Sequence, residues 1–226
     1  MTKLIRLFVL AISMVGCSVN VPRASDTRTC DDVAIVLLQG MLTQQMTPAN
    51  MRDRLVETYK VPSDQAQYVI SNDNGASVSV HKGGIKYSVE MQGNDPVGAR
   101  IQFDTLPMSA GKAISCIGEP DLYRARYAFG PSATDHLLSL NLFIPRQGVE
   151  IYAFTFGTSK FPPKLTEDIP VAFLSVVIPS DHESTMAALL RDSPADSEYG
   201  QQLRRQLKPW PGNWQDIQIE IDPALQ

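Results

Sequence analysis

The chain has 226 residues, a formal net charge of −4 and 43% hydrophobic residues, which is the composition of an ordinary globular protein. This weak acidic balance argues against nucleic acid as a partner, because nucleic-acid binding needs a clustered basic surface. Beyond the N-terminal signal described next, no apolar run approaches the roughly 20 residues that span a bilayer.

The N-terminus has the pattern of an export signal. Lys3 and Arg6 supply positive charge, and a short apolar core follows over 7–14. The sequence MVGC at 14–17 resembles the lipobox of bacterial lipoproteins. The resemblance implies cleavage before Cys17 and acylation of this cysteine, which would anchor the protein in the cell membrane or outer membrane on its extracytoplasmic side. The alternative is an ordinary signal peptide with an incidental cysteine.

Two further cysteines, Cys30 and Cys116, remain after such processing. In an oxidising compartment an even pair is a candidate disulfide, whereas two buried thiols that pack as small hydrophobic groups are the alternative. Their spacing is far too long for a redox Cys-x-x-Cys motif. No spacing of His, Cys or acidic residues indicates a metal site, so we expect neither a metal nor a cofactor.

Two helices are predicted at the start of the folded part. A capping box at Thr29 precedes apolar residues spaced three and four apart over 33–42. The second helix begins after the cap residue Thr47, with Pro48 at its first position, and ends before Pro62. The apolar faces of both helices are typical of core packing.

A β-hairpin is predicted next, from the sequence ASVSVHK-GG-IKYSVEM at 76–91. The Gly-Gly pair at 83–84 suits the positive φ angles of a type I′ turn. This register places the apolar residues on one face, where the cross-strand pairs are Val80 with Tyr87 and Val78 with Val89. Alternation over 99–103 then predicts a third strand.

The stretch 108–156 repeats this order more clearly. It begins MSAGKAISCIGEPD, which predicts a short helix capped by Ser109 and ended by Gly118. Three alternating apolar segments follow, LYRARYAF, LLSLNLFI and VEIYAFTF. We therefore interpret each half as an αβββ unit, and we predict an α+β fold with an antiparallel sheet and helices packed on one face.

The turn IGEPD at 117–121 carries a second resemblance. A helix, then Gly-x-Pro-Asp, then alternating strands is similar to the small-lipoprotein family of outer-membrane assembly factors and to the tandem-αβββ β-lactamase inhibitor proteins. The resemblance implies two αβββ units in one curved sheet with the helices on one side. It covers 108–156 only and implies no functional residue.

The C-terminal part predicts a βααβ extension. A Pro-rich segment at 159–170 is followed by VAFLSVVI, whose unbroken apolarity predicts a strand buried on both faces. Ser180 with Glu183 forms a capping box for one helix, Leu203 and Leu207 mark a second helix, and isoleucines alternate over 217–221 as a final strand.

These elements divide the chain into four parts. We expect a lipoprotein signal peptide over 1–16, a tether over 17–28, a tandem αβββ domain over 29–158, and a C-terminal extension over 159–226 that packs on the same domain. The polar composition of the second part is typical of a linker between lipid and domain.

Two features are candidates for binding a partner. Arg124 and Arg126 alternate with apolar residues and therefore point to the same side of one strand, where they form a small basic patch if that side is open. Polar-outward alternation of a half-exposed sheet is the alternative. Trp210 and Trp214 flank a turn and suit either a protein interface or local packing against the final strand.

No motif indicates catalysis, since the chain lacks a Gly-x-Ser-x-Gly elbow, a phosphate-binding loop and a His-Glu-x-x-His helix. The sequence therefore favours a non-enzymatic, lipid-anchored binding module of the cell envelope with a protein or envelope component as partner. The alternative is an envelope hydrolase or transferase whose site is assembled from distant residues.

Overall fold

The computed structural model describes residues 32–70, 75–104, 108–130, 135–158, 164–190 and 197–222, together with Leu225. The predicted signal peptide, tether, Cys17 and Cys30 lie outside these residues, so the corresponding interpretations stay predictions. The described residues form five α-helices and one ten-stranded, mostly antiparallel sheet. The predicted α+β class is confirmed.

The helices are α1 (Asp32–Leu42), α2 (Pro48–Tyr59), α3 (Ala110–Ile117), α4 (His182–Leu189) and α5 (Glu198–Arg205). The strands are β1 (Ala66–Ile70), β2 (Gly75–Lys82), β3 (Ile85–Gln92), β4 (Asp95–Phe103), β5 (Leu122–Phe129), β6 (Asp135–Ile144), β7 (Val149–Thr158), β8 (Val171–Val176), β9 (Lys208–Pro209) and β10 (Ile219–Ile221). Short 3-10 turns precede β1 and β7.

The strand order is β1-β2-β3-β4-β8-β7-β6-β5-β10, with β9 also paired to β5. Strands β2–β4 and β5–β7 are the strands of the two predicted units. Strand β8 of the extension pairs with β4 on one side and with β7 on the other, so it joins the two units into one sheet. Strand β1, which the sequence analysis did not predict, pairs with β2 at one edge.

Local sequence signals account for several boundaries. Thr47 accepts a hydrogen bond from the backbone N–H of Asn50, and Pro48 begins α2. In the hairpin, Gly83 and Gly84 have φ angles of 59° and 78°. The predicted cross-strand pairs of this hairpin are confirmed: Val80 with Tyr87 and Val78 with Val89.

The predicted cap of α4 is wrong by one residue. Asp181, rather than Ser180, accepts a hydrogen bond from the backbone N–H of Ser184 at 2.9 Å. The backbone N–H of Ser180 instead donates to the hydroxyl of Thr185. Both Asp and Ser are strong cap residues, so the sequence alone does not decide which of two adjacent cap residues precedes the first helical turn.

The main core lies between the sheet and helices α1, α2 and α3. It combines buried residues from these helices, such as Leu38 and Leu55, with the inward-facing residues of β2 to β8, such as Val78 and Ile151. We call the opposite surface of the sheet the open face.

A second, smaller core lies on the open face at one end of the sheet. Phe143 of β6 and Val177, which follows β8, pack there against four residues of the extension: Met186, Leu189, Leu190 and Leu203. Helices α4 and α5 therefore cover part of the face opposite to α1–α3. Among the described residues, no helix has the length and apolarity to cross a membrane.

The prediction that 171–178 is a strand buried on both faces is wrong in part. Strand β8 ends at Val176, and Phe173 and Ser175 are only half-buried on the open face. The second core reaches Val177 but not the row that contains Phe173. This segment is apolar because it lies at the centre of the sheet, where one face is fully covered and the other is partly covered.

Candidate binding site on the open sheet face

The open face places the two predicted arginines together. The side chains of β5 alternate, so Tyr123 and Ala125 enter the main core while Arg124 and Arg126 lie on the opposite surface. Both arginines line one cavity of about 320 Å³. The cavity extends across the open face as far as Arg100 of β4 and Glu90 of β3.

The strand register brings residues from distant parts of the chain into one row of the open face. Neighbouring strands lie about 4.8 Å apart, so each member of the row is adjacent to the next. From β5 across to β4, the row consists of Arg124, Asn141, Tyr152, Phe173 and Gln102.

Most charged groups of the cavity are engaged within the protein. A guanidinium nitrogen of Arg126 lies 2.6 Å from a carboxylate oxygen of Asp222. The buried carboxylate of Glu150 accepts a hydrogen bond from the amide of Asn141 at 2.7 Å. Such pairs offset the cost of removing charges from water.

Arg100 is held by an acidic and an aromatic partner. Its guanidinium lies 3.7 Å from a carboxylate oxygen of Glu90. It also lies over the ring of Phe173, 4.5 Å from the ring centroid, which is within range for a cation–π interaction. This arrangement orients the guanidinium along the sheet surface.

Arg124 differs from these two arginines. Its side chain is half-buried, its Nε atom is buried, and within the described part of the chain it forms neither a hydrogen bond nor an ion pair. An unmade hydrogen bond of a buried polar group costs about 1–3 kcal/mol, and more when the group is charged. Arg124 lines the cavity without an acceptor for its guanidinium among the described residues.

An aromatic row lies on the same face as Arg124, two strands away, and consists of Tyr152, Phe154 and Phe156 of β7 with Phe173 of β8. The rings of Tyr152 and Phe173 stack with centroids 4.9 Å apart, and those of Phe154 and Phe156 meet edge to face at 5.3 Å. Phe156 is 49% exposed. Rigid, partly exposed aromatic side chains of this kind are enriched where proteins bind each other.

Helices α4 and α5 form one wall of the cavity. Leu189, Leu190 and Leu203 of the second core line it, together with Ala188. The cavity therefore has a polar floor on the sheet and an apolar side wall on the extension.

The structure places Trp210 and Trp214 away from the arginines. Trp210 meets the ring of Tyr123 edge to face at 6.2 Å, and its ring centroid lies 5.5 Å from that of Trp214. Both tryptophans are partly buried against the main core, on the opposite side of the sheet from Arg124. These contacts pack the two tryptophans on each other and on the main core, and their predicted role in binding a partner stays a prediction.

The cysteines and histidines lie elsewhere. Cys116 of α3 is disulfide-bonded, whereas Cys30 lies outside the described residues, so the pairing of these two cysteines stays a prediction. His81 lies 3.7 Å from Asp104, and His136 shares a hydrogen bond with the hydroxyl of Tyr127. The described residues contain no group of three side chains placed to hold a metal ion.

Sequence reasoning missed several residues of the cavity, among them Arg100, Glu90 and Phe173. Alternation in β4 indicated that Arg100 faces away from the core. The register of the hairpin indicated that Glu90 also faces away from the core. Neither signal showed that β8 lies between β4 and β7, which is what places Phe173 against both Arg100 and Tyr152.

Comparisons with protein-family models, with curated proteins and with solved structures find no match. The geometry of the open face is therefore the basis on which a function is assigned.

Proposed function

We propose that this protein is a lipid-anchored, non-enzymatic module on the extracytoplasmic side of the cell envelope, and that it binds a protein partner through its open sheet face. The observation that carries the proposal is that one face of the sheet holds both the half-buried Arg124, which has no acceptor among the described residues, and, two strands away, an aromatic row that ends at the exposed Phe156.

Charge complementarity indicates what kind of partner segment fits. The aromatic row offers apolar area, while Arg124 offers a guanidinium that cannot be covered without cost unless it meets an anion. A segment of the partner that carries a carboxylate next to apolar side chains satisfies both features. The acidic and amide side chains on the rest of the floor are already engaged, so they shape the surface rather than supply its charge.

The lipid anchor is supported by the MVGC sequence at 14–17 and the apolar core before it. An anchor on Cys17 would hold the domain at the membrane surface, in the cell membrane or outer membrane. Confinement to a surface raises the effective concentration of a membrane-bound partner, so a modest intrinsic affinity is sufficient for binding.

Site-specific photocrosslinking in cells tests the binding surface. Phe156 of the aromatic row is replaced by p-benzoyl-phenylalanine, and in a matched control so is Val36 of α1, which is 66% exposed on a helix of the other face. We expect a discrete protein adduct from position 156 and none of that mass from position 36.

The Phe154→Ser change then tests whether the adduct depends on the surface. We expect it to abolish the adduct at position 156, because Phe154 is the ring neighbour of Phe156. Circular dichroism of the purified variant shows whether it is folded. The proposal is wrong if position 156 yields no adduct in correctly folded, anchored protein, or if the adduct is unaffected by Phe154→Ser.

A further inference from the structure

The cavity is lined both by the guanidinium of Arg124 and by the apolar side chains of the second core. Leu122 of β5 packs against the second core, and Arg124 is the next residue of the same strand on the same face. Residues two apart on a strand are separated by about 7 Å. The guanidinium and the wall formed by Leu189, Leu190 and Leu203 are therefore parts of one small site rather than separate surfaces.

Arg124 is the guanidinium of the lining to which the described residues give no ion-pair partner, since the carboxylate of Glu150 is held by the amide of Asn141. Three arginines and two glutamates line the cavity within the described chain: Arg100, Arg124, Arg126, Glu90 and Glu150. Arg126 is paired with Asp222, and Arg100 is paired with Glu90. A carboxylate matches the one remaining guanidinium in charge and in its planar, two-oxygen geometry.

We propose that this cavity captures the carboxyl-terminal residue of the partner polypeptide, with its carboxylate on Arg124 and an apolar side chain against Leu189, Leu190 and Leu203. A terminal residue carries both groups on one Cα, which suits a cavity lined both by Arg124 and by the apolar wall. The inference rests on the proposed function, since it takes a protein as the partner.

Fluorescence anisotropy tests the inference with the full chain in lipid nanodiscs. The probes are fluorescein-labelled Gly-Gly-Ala-Ala-Leu with a free carboxyl terminus and the same peptide as its amide. We expect the acid to bind at least about tenfold more tightly, since a hydrogen bond to a charged group contributes about 1.5–3 kcal/mol. An unlabelled octanoate competitor tests whether a free carboxylate binds as well as the peptide.

The matched variants are Arg124→Gln and Arg146→Gln. Arg146 is exposed in the turn before β7, pairs with Asp121 and does not line the cavity. We expect Arg124→Gln to reduce the preference for the acid to about one, and Arg146→Gln to leave it unchanged.

The inference is overturned if acid and amide bind equally, if neither binds, or if the preference survives Arg124→Gln. It is also overturned if octanoate displaces the peptide acid at equal concentration, because the site would then be one for free carboxylates. Crosslinking from position 156 does not depend on these results. An adduct there without an acid preference would leave the proposed function in place and remove only the terminal-residue site.

Discussion

Gly148 is the residue at which we expect the smallest chemical change to have the largest effect on stability. It ends the turn between β6 and β7 with a φ angle of +64°. Its carbonyl oxygen accepts a hydrogen bond from the backbone N–H of Val177 at 2.8 Å, where the chain leaves β8. The amide of Gln39 on α1 donates to the carbonyl of Val177 at 3.0 Å, so three distant segments meet at this turn.

Two costs combine in Gly148→Ala. The left-handed backbone conformation costs an L-residue about 1–2 kcal/mol. The new Cβ would also collide with the carbonyl oxygen of Val177 and lie 3.1 Å from the backbone nitrogen of Pro179. Overpacking of this kind adds about 1–3 kcal/mol. We expect the free energy of unfolding to fall by about 2–5 kcal/mol, measured by urea denaturation monitored by circular dichroism.

Gly83→Ala is the matched control, because Gly83 has nearly the same φ angle, +59°, but no atom within 4 Å of an added Cβ. Only the backbone cost of about 1–2 kcal/mol applies there. Equal losses for the two variants would show that the contacts at Val177 and Pro179 relax freely. The junction of the turn, β8 and α1 would then not be the rigid point described above.

Three further outcomes are expected. Phe143→Ala should lower the free energy of unfolding by about 3–5 kcal/mol and speed hydrogen exchange in α4 and α5, because Phe143 anchors the second core; unchanged exchange there would contradict this. Hydrogen bonds from the hydroxyl and backbone amide of Ser184 hold the pKa of Asp181 below its ordinary value. Their stabilisation is present at neutral pH and is lost as the pH falls through that lowered pKa, so Asp181→Asn should flatten the decline in thermal stability below about pH 4. Radiolabelled palmitate should enter the wild type but not Cys17→Ala; equal incorporation would refute lipidation.

Elements with strong local signals were predictable from the sequence. The register of the β2–β3 hairpin followed from Gly83-Gly84 and from alternation, because a tight turn leaves few ways to pair the flanking strands. Strand β1 was missed because its Tyr68, Val69 and Ile70 are exposed at a sheet edge. Such a strand has no buried face, so its sequence shows no alternation with a core.

The position of β8 could not be predicted for a different reason. Its apolarity indicated a central strand, but the choice of β4 and β7 as neighbours depends on long-range pairing. Apolar strands present similar edges to one another, and no residue of β8 specifies which edge it joins. Because this choice places Phe173 against both Arg100 and Tyr152, the sequence showed only Arg124 and Arg126 of the residues that line the cavity.

The extent of α4 and α5 explains why the open face has the properties of a binding surface. Antiparallel sheets often expose a polar face to water, and here the second core covers the apolar residues at one end only. The aromatic row continues past that cover to Phe156. Burying the apolar area of this row against a partner contributes about 25 cal/mol per Å² to the free energy of binding, whatever the sequence of that partner.

If the open face binds a partner as proposed, Arg124 makes the binding selective. A partner that buries the aromatic row without an acceptor for the guanidinium incurs the full desolvation cost of a charged group, whereas a partner with a carboxylate does not. The aromatic rings thus favour many partners, and the single arginine disfavours most of them. On the proposed function, the lack of an acceptor for Arg124 among the described residues would let this face distinguish one partner segment from another.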